Sequence, residues 1–128
     1  MVRLITFIGA ILLTGCATVT DMIPSFWDDN EAKAAVDIKY TAQKINCQDN
    51  YQFMVYDLQD NIEWLIAYAE SKGSKDLIRL TKPLQNTTDA FVKKVEAEKD
   101  VSLVYCELKR KIIVNQANTL SNAALGRY

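Results

Sequence analysis

From Leu84 to Leu125 the chain contains neither glycine nor proline. That span of about 42 residues is long for a single globular helix and offers no turn residue at which a strand could end. Apolar residues recur through it at helical spacing. Leu84, Phe91, Tyr105 and Ile112 keep a heptad register, with Glu98 as the polar exception. A break near Lys99-Asp100, with Asp100 as cap, would give a separate last helix carrying Val101, Val104, Tyr105, Leu108, Ile112, Ala117, Leu120 and Ala124. Without the break the span is one rod. Gly126 ends the pattern and Arg127-Tyr128 reads as a short tail.

The rest of the chain has the same period. Asp28 followed by Glu31 gives a capping-box start to a first helix in which Ala35, Ile38, Ala42 and Ile45 share a face, ending near Asn46-Cys47. Asp49-Asn50 caps a second helix that runs to about Lys72. Its stripe of Tyr51, Met54, Leu58, Ile62, Leu65 and Ala69 is widened by Val55, Trp64, Ile66 and Tyr68. The aromatic pair is read as core rather than as a ligand platform. Gly73 suits a left-handed helix end, and Ser74 with Asp76 suits the next start. A third helix bears Leu77, Ile78, Leu80, Leu84, Phe91, Val92 and Val95; Pro83 kinks it or opens a fresh one. No stretch alternates at period two for long enough to propose a strand. The expected fold is all-α: an antiparallel bundle of three to four helices, compact or elongated, with one disulfide.

Leu13-Thr14-Gly15-Cys16 resembles a bacterial lipobox, which assigns the third cysteine to lipid and exports the chain to an oxidising compartment. The resemblance thus implies that Cys47 and Cys106 are the pair expected to form that disulfide. Neither lies in a Cys-x-x-Cys, and with no histidine the chain has too few soft ligands for zinc. A structural cross-link is therefore expected, and no metal or other cofactor. In an up-down-up-down bundle the two thiols meet at one end. In a rod the 1.5 Å rise per residue also brings Cys106 beside Cys47, so the pair fits both architectures.

The N-terminal stretch carries a resemblance. Arg3 precedes an apolar run from Leu4 to Leu13, followed by Leu13-Thr14-Gly15-Cys16. The run is too short to span a bilayer but right for a secretory leader. The four residues resemble the bacterial lipobox. The resemblance implies removal of residues 1–15, a lipidated Cys16, a tether over 16–27 and a periplasmic helical domain over 28–128. It implies an exported chain, and so an oxidising compartment for the two remaining cysteines. With Ala17 rather than Asp after the cysteine, the associated sorting rule favours the outer membrane. Phe26 and Trp27 are read as packing on the domain, with the lipid interface as the other place for them.

Little chemistry is encoded. No histidine is available as base or ligand, and the expected mature chain has only Gly73 and Gly126, too few for a phosphate loop. The carboxylates, including the pairs Asp57 with Asp60 and Glu96 with Asp100, fall on expected solvent faces. Asn86-Thr87-Thr88 is a glycosylation sequon, idle in a bacterium. Acidic and basic side chains nearly cancel, at 16 against 15, which gives no basis for binding nucleic acid. Lys109-Arg110-Lys111 is the one basic cluster and the candidate partner-binding site. The chain is read as a non-enzymatic binding protein.

Pro24-Ser25-Phe26-Trp27-Asp28-Asp29-Asn30, Glu70-Ser71-Lys72-Gly73-Ser74, Tyr105-Cys106-Glu107-Leu108-Lys109-Arg110-Lys111-Ile112 and Leu125-Gly126-Arg127, with the leader, resemble small outer-membrane lipoproteins of tailed phages of Gram-negative bacteria. The resemblance implies a spanin-like subunit in host lysis. Its partner would be an inner-membrane protein with a coiled-coil periplasmic arm. Two other roles fit the same features. One is a superinfection-exclusion lipoprotein that masks an outer-membrane β-barrel receptor, and the other is a structural lipoprotein of the bacterial envelope.

Overall fold

The computed structural model describes residues 25–127. Four helices follow one another: α1 (Asp29–Gln43), α2 (Tyr51–Lys72), α3 (Lys75–Ala97) and α4 (Leu103–Leu125). Each packs on its neighbours in the order α1–α2–α3–α4, and α4 closes the ring on α1. The fold is a four-helix antiparallel bundle with a Cys47–Cys106 disulfide across one end, Cα atoms 5.8 Å apart.

The 84–125 span is therefore two helices and not a rod. Residues 98–102 make the turn, and Ser102, not Asp100, caps α4: its hydroxyl accepts the Tyr105 N–H at 3.2 Å. Val101 is buried within this turn and donates its N–H to the Tyr51 hydroxyl (3.2 Å), while Gln52 holds the Lys99 carbonyl (3.1 Å). The first turn of α2 thus supplies partners that no repeat within 84–125 reveals.

The other ends close locally. Gly73 at φ +73° lets the Ser74 N–H reach the Ala69 carbonyl and its own N–H reach Glu70, a Schellman end between α2 and α3. Asp28 caps α1 through the Glu31 N–H (2.9 Å), but the reciprocal half of the expected capping box is missing because the Glu31 side chain turns inward. Helix α1 stops at Gln43, a few residues before the expected end. Asn50 caps α2 without a side-chain bond to that helix; its amide instead ties Asn46 and Lys44. Pro83 neither ends nor restarts α3. Its ring faces solvent, where water can reach the carbonyl one turn back that it leaves unpaired.

Leu58, Ile62 and Leu65 of α2 meet Leu77, Leu84 and Phe91 of α3 and Ile113 and Leu120 of α4 in a core that excludes solvent. Phe91 is flanked by Tyr51 (ring centroids 6.2 Å, stacked) and Tyr105 (5.7 Å, edge-on). Two parts of the expected apolar pattern lie outside it. On α4 the inner face is Cys106, Ile113, Ala117, Leu120 and Ala124, while Val104, Leu108 and Ile112 lie on the outside. On α2, Trp64 is 52% exposed. Phe26, expected to pack on the domain, is 90% exposed.

Candidate functional site

The expected basic cluster lies on α4, about two turns beyond its start. Consecutive helical residues differ by about 100° around the axis, so Lys109, Arg110 and Lys111 cannot form one patch. Arg110 faces α1, donating Nε to the Ile45 carbonyl (2.7 Å) and Nη2 towards Gln43 (3.5 Å). It caps the C-terminal end of α1, where a cation and a donor are both favoured. Lys109 faces the α3 side, with Nζ 5.6 Å from the Tyr105 ring centre. Lys111 is exposed on the outer face.

What Lys111 accompanies there is apolar. Val104, Leu108 and Ile112 recur every four residues and are 80%, 57% and 36% exposed. They form a continuous stripe on the outside of α4, with Glu107 and Lys111 along one margin. The sequence pattern groups these three with Ala117, Leu120 and Ala124 in one apolar set on the last helix. The signal that divides the set is the breadth of the pattern: α4 already has an inner row at 106, 113, 117, 120 and 124, and 104, 108 and 112 fall on the opposite side of the wheel.

The opposite end of the bundle is fastened by ions. Arg127, expected in a free tail, is buried between Glu31 of α1 and Asp76 of α3. It bonds the Glu31 carboxylate and grips both oxygens of Asp76 at 2.9 Å. Ser25 adds its hydroxyl to the same Asp76 carboxylate (2.6 Å) and its N–H at 3.3 Å. Desolvation pushes the Asp76 carboxyl up, but the Ser25 and Arg127 bonds and the guanidinium charge outweigh it and hold the group below its ordinary value. Both carboxylates lie in the first turn of a helix and Arg127 follows the last turn of another, so each charge has the sign its helix end favours. These two acids are not on solvent faces, contrary to expectation. Ser25, the first described residue, therefore lies at the end of the bundle opposite the disulfide.

A third feature is a groove of about 460 Å³ between α1 and α2, lined by Asn30, Lys33, Ala34, Asp37, Asn61 and Trp64. Trp64 is stacked on Tyr68, centroids 5.1 Å apart and planes within 9°. The Tyr68 hydroxyl donates to Asp28 (3.2 Å) and accepts from Asn30 (3.0 Å).

Among the described residues no three His, Cys, Asp or Glu side chains are grouped to hold a metal ion, and no helix is long and apolar enough to cross a membrane. Cys16, the expected lipidation site, lies outside the described residues. Comparison with protein-family models, curated proteins and solved structures finds no match.

Proposed function

We propose that this chain is a lipid-anchored lipoprotein of the outer membrane, tethered through Cys16, whose bundle binds another envelope protein through the outer face of α4. Its most concrete role is a spanin-like subunit in phage-induced host lysis. The observation that carries the binding reading is the stripe of Val104, Leu108 and Ile112, an apolar helix face that the bundle itself leaves uncovered. Helix-in-groove and coiled-coil partners use four-residue spacings of this kind. The stripe begins about 30 Å from the Ser25 end, counted along α4 at 1.5 Å per residue. An anchor at Cys16 would therefore place it on the part of the domain farthest from the membrane, within reach of an arm crossing the periplasm.

Photo-crosslinking in cells from positions 108 and 111 tests the reading. Capture of an inner-membrane protein with a coiled-coil periplasmic arm supports the lysis role. Capture of a β-barrel receptor replaces it with exclusion, and expression alone should then protect cells from infection. Cys16→Ser is expected to release the protein from membranes, and its deletion to arrest lysis at the outer membrane. Normal lysis without the protein would remove the spanin-like role.

A further inference from the structure

We propose that the α1–α2 groove is a binding site for an uncharged glycan, in which one pyranose ring stacks on Trp64. A half-exposed tryptophan on a small bundle loses the benefit of burial, yet this one is held in a fixed orientation. Tyr68 backs one face of the indole, and Tyr68 is itself pinned at the start of α1 by its bonds to Asp28 and Asn30. Trp64 lines the groove and Tyr68 does not, so the opposite indole face is the one offered to a ligand. A fixed aromatic plane loses little entropy when something settles on it.

The remaining walls select the ligand. Asn30, Lys33 and Asp37 come from one face of α1, Ala34 makes a small floor between them, and Asn61 stands one turn before Trp64 on α2. Lys33 and Asp37 are paired at 2.7 Å, so a strong donor and a strong acceptor lie side by side with no net charge. Ionic ligands gain nothing there, and a purely apolar one would bury that pair and the Asn61 amide without replacement bonds. A pyranose fits both requirements. Its C–H face packs on the indole, and its hydroxyls each donate and accept, matching amide, ammonium and carboxylate around a rim. The groove volume suits one or two rings.

The test uses protein expressed from the full chain. Trp27 is the only other tryptophan, so Trp27→Phe leaves Trp64 as the sole indole reporter. The variant is titrated with chitotetraose and with maltotetraose. A saturable change in Trp64 emission is expected, with Kd of about 0.1–1 mM for so open a site. It should weaken more than tenfold in Asn61→Ala and in Asp37→Ala. In the otherwise native chain Trp64→Ala should abolish the amide NMR shifts that sugar induces at residues 30–37. A preference for chitotetraose points to amino-sugar strands and one for maltotetraose to glucans; either supports the proposal. No saturable response to either sugar at about 20 mM overturns it, as does a response unchanged in both polar variants. A blue shift of Trp64 on phosphatidylethanolamine–phosphatidylglycerol vesicles without any sugar response also overturns it, in favour of a lipid contact.

Discussion

Arg127 joins parts of the chain that are far apart in sequence: the first turn of α1, the first turn of α3, and through Asp76 the segment at Ser25. Removing one partner of a buried charge cluster leaves the others uncompensated in a low dielectric, so Arg127→Ala is expected to cost roughly 3–5 kcal/mol at pH 7. Urea unfolding would measure it. The pH dependence follows from the direction of the Asp76 shift. Its folded-state value is depressed below the ordinary 3.8, so the group adds stability above that pH and loses it as pH falls through the folded value. In Arg127→Ala the desolvation of Asp76 is no longer opposed by the guanidinium, and protonation relieves the strain instead. The gap between the variant and the parent should therefore shrink as pH is lowered from 7 towards 3. A gap that is constant with pH would show that the lost packing of the arginine stem, not its charge, sets the cost. None of this was legible in the sequence. Glu31 stands three residues after Asp28, where a capping box would use it locally, and nothing near Arg127 marks it as buried.

At the scale of elements the helices were readable and their joints only in part. Gly73 was legible because its effect is local: an L residue at φ +73° is strained, and open space around its Cβ position adds no clash. Gly73→Ala is expected to cost about 1 kcal/mol, measured by the same unfolding curves. The joint at 98–102 falls where a break near Lys99-Asp100 was expected, but its cap was misassigned and the choice between break and rod stayed open because its determinants are distant. Ser102 caps α4, and Tyr51 from α2 satisfies the buried Val101 N–H. Ser102→Ala should cost about 1 kcal/mol, and Tyr51→Phe about 1–3 kcal/mol because it orphans a buried donor. Asp100→Ala should be nearly neutral. A large loss at Asp100 with none at Ser102 would move the cap back to where the sequence had suggested it. The breadth of the apolar patterns on α2 and α4 misled for a different reason. A bundle of this size has one interior, and residues such as Trp64, Val104 and Leu108 are surplus to it. Periodicity records that a face is apolar, not whether the molecule's own core or something else covers it.

For the whole molecule, the two ends of the bundle are fastened differently and the difference bears on function. The clasp end holds both chain termini of the described domain through side-chain charge, while the far end is joined covalently by Cys47–Cys106, which closes a loop of 59 residues. On polymer-entropy grounds such a loop contributes roughly 4 kcal/mol, so reduction should loosen the far end first and leave Ser25 and Arg127 in place. The α4 stripe starts beside that far end, and its first residues Val104 and Leu108 flank Cys106. If a partner docks on the stripe as proposed, loss of the disulfide should weaken that docking by loosening the start of α4, whereas folding of the bundle should depend on the stripe hardly at all. Val104→Asp with Leu108→Asp is expected to leave stability within roughly 0.5 kcal/mol, since both side chains already face solvent, and to abolish crosslinking from position 111. Cys47→Ser with Cys106→Ser should weaken both. If the aspartate pair instead unfolded the bundle, the stripe would belong to the fold and the docking surface would have to lie elsewhere. If it left crosslinking intact, Lys111 would be reporting a neighbour that does not touch the apolar face.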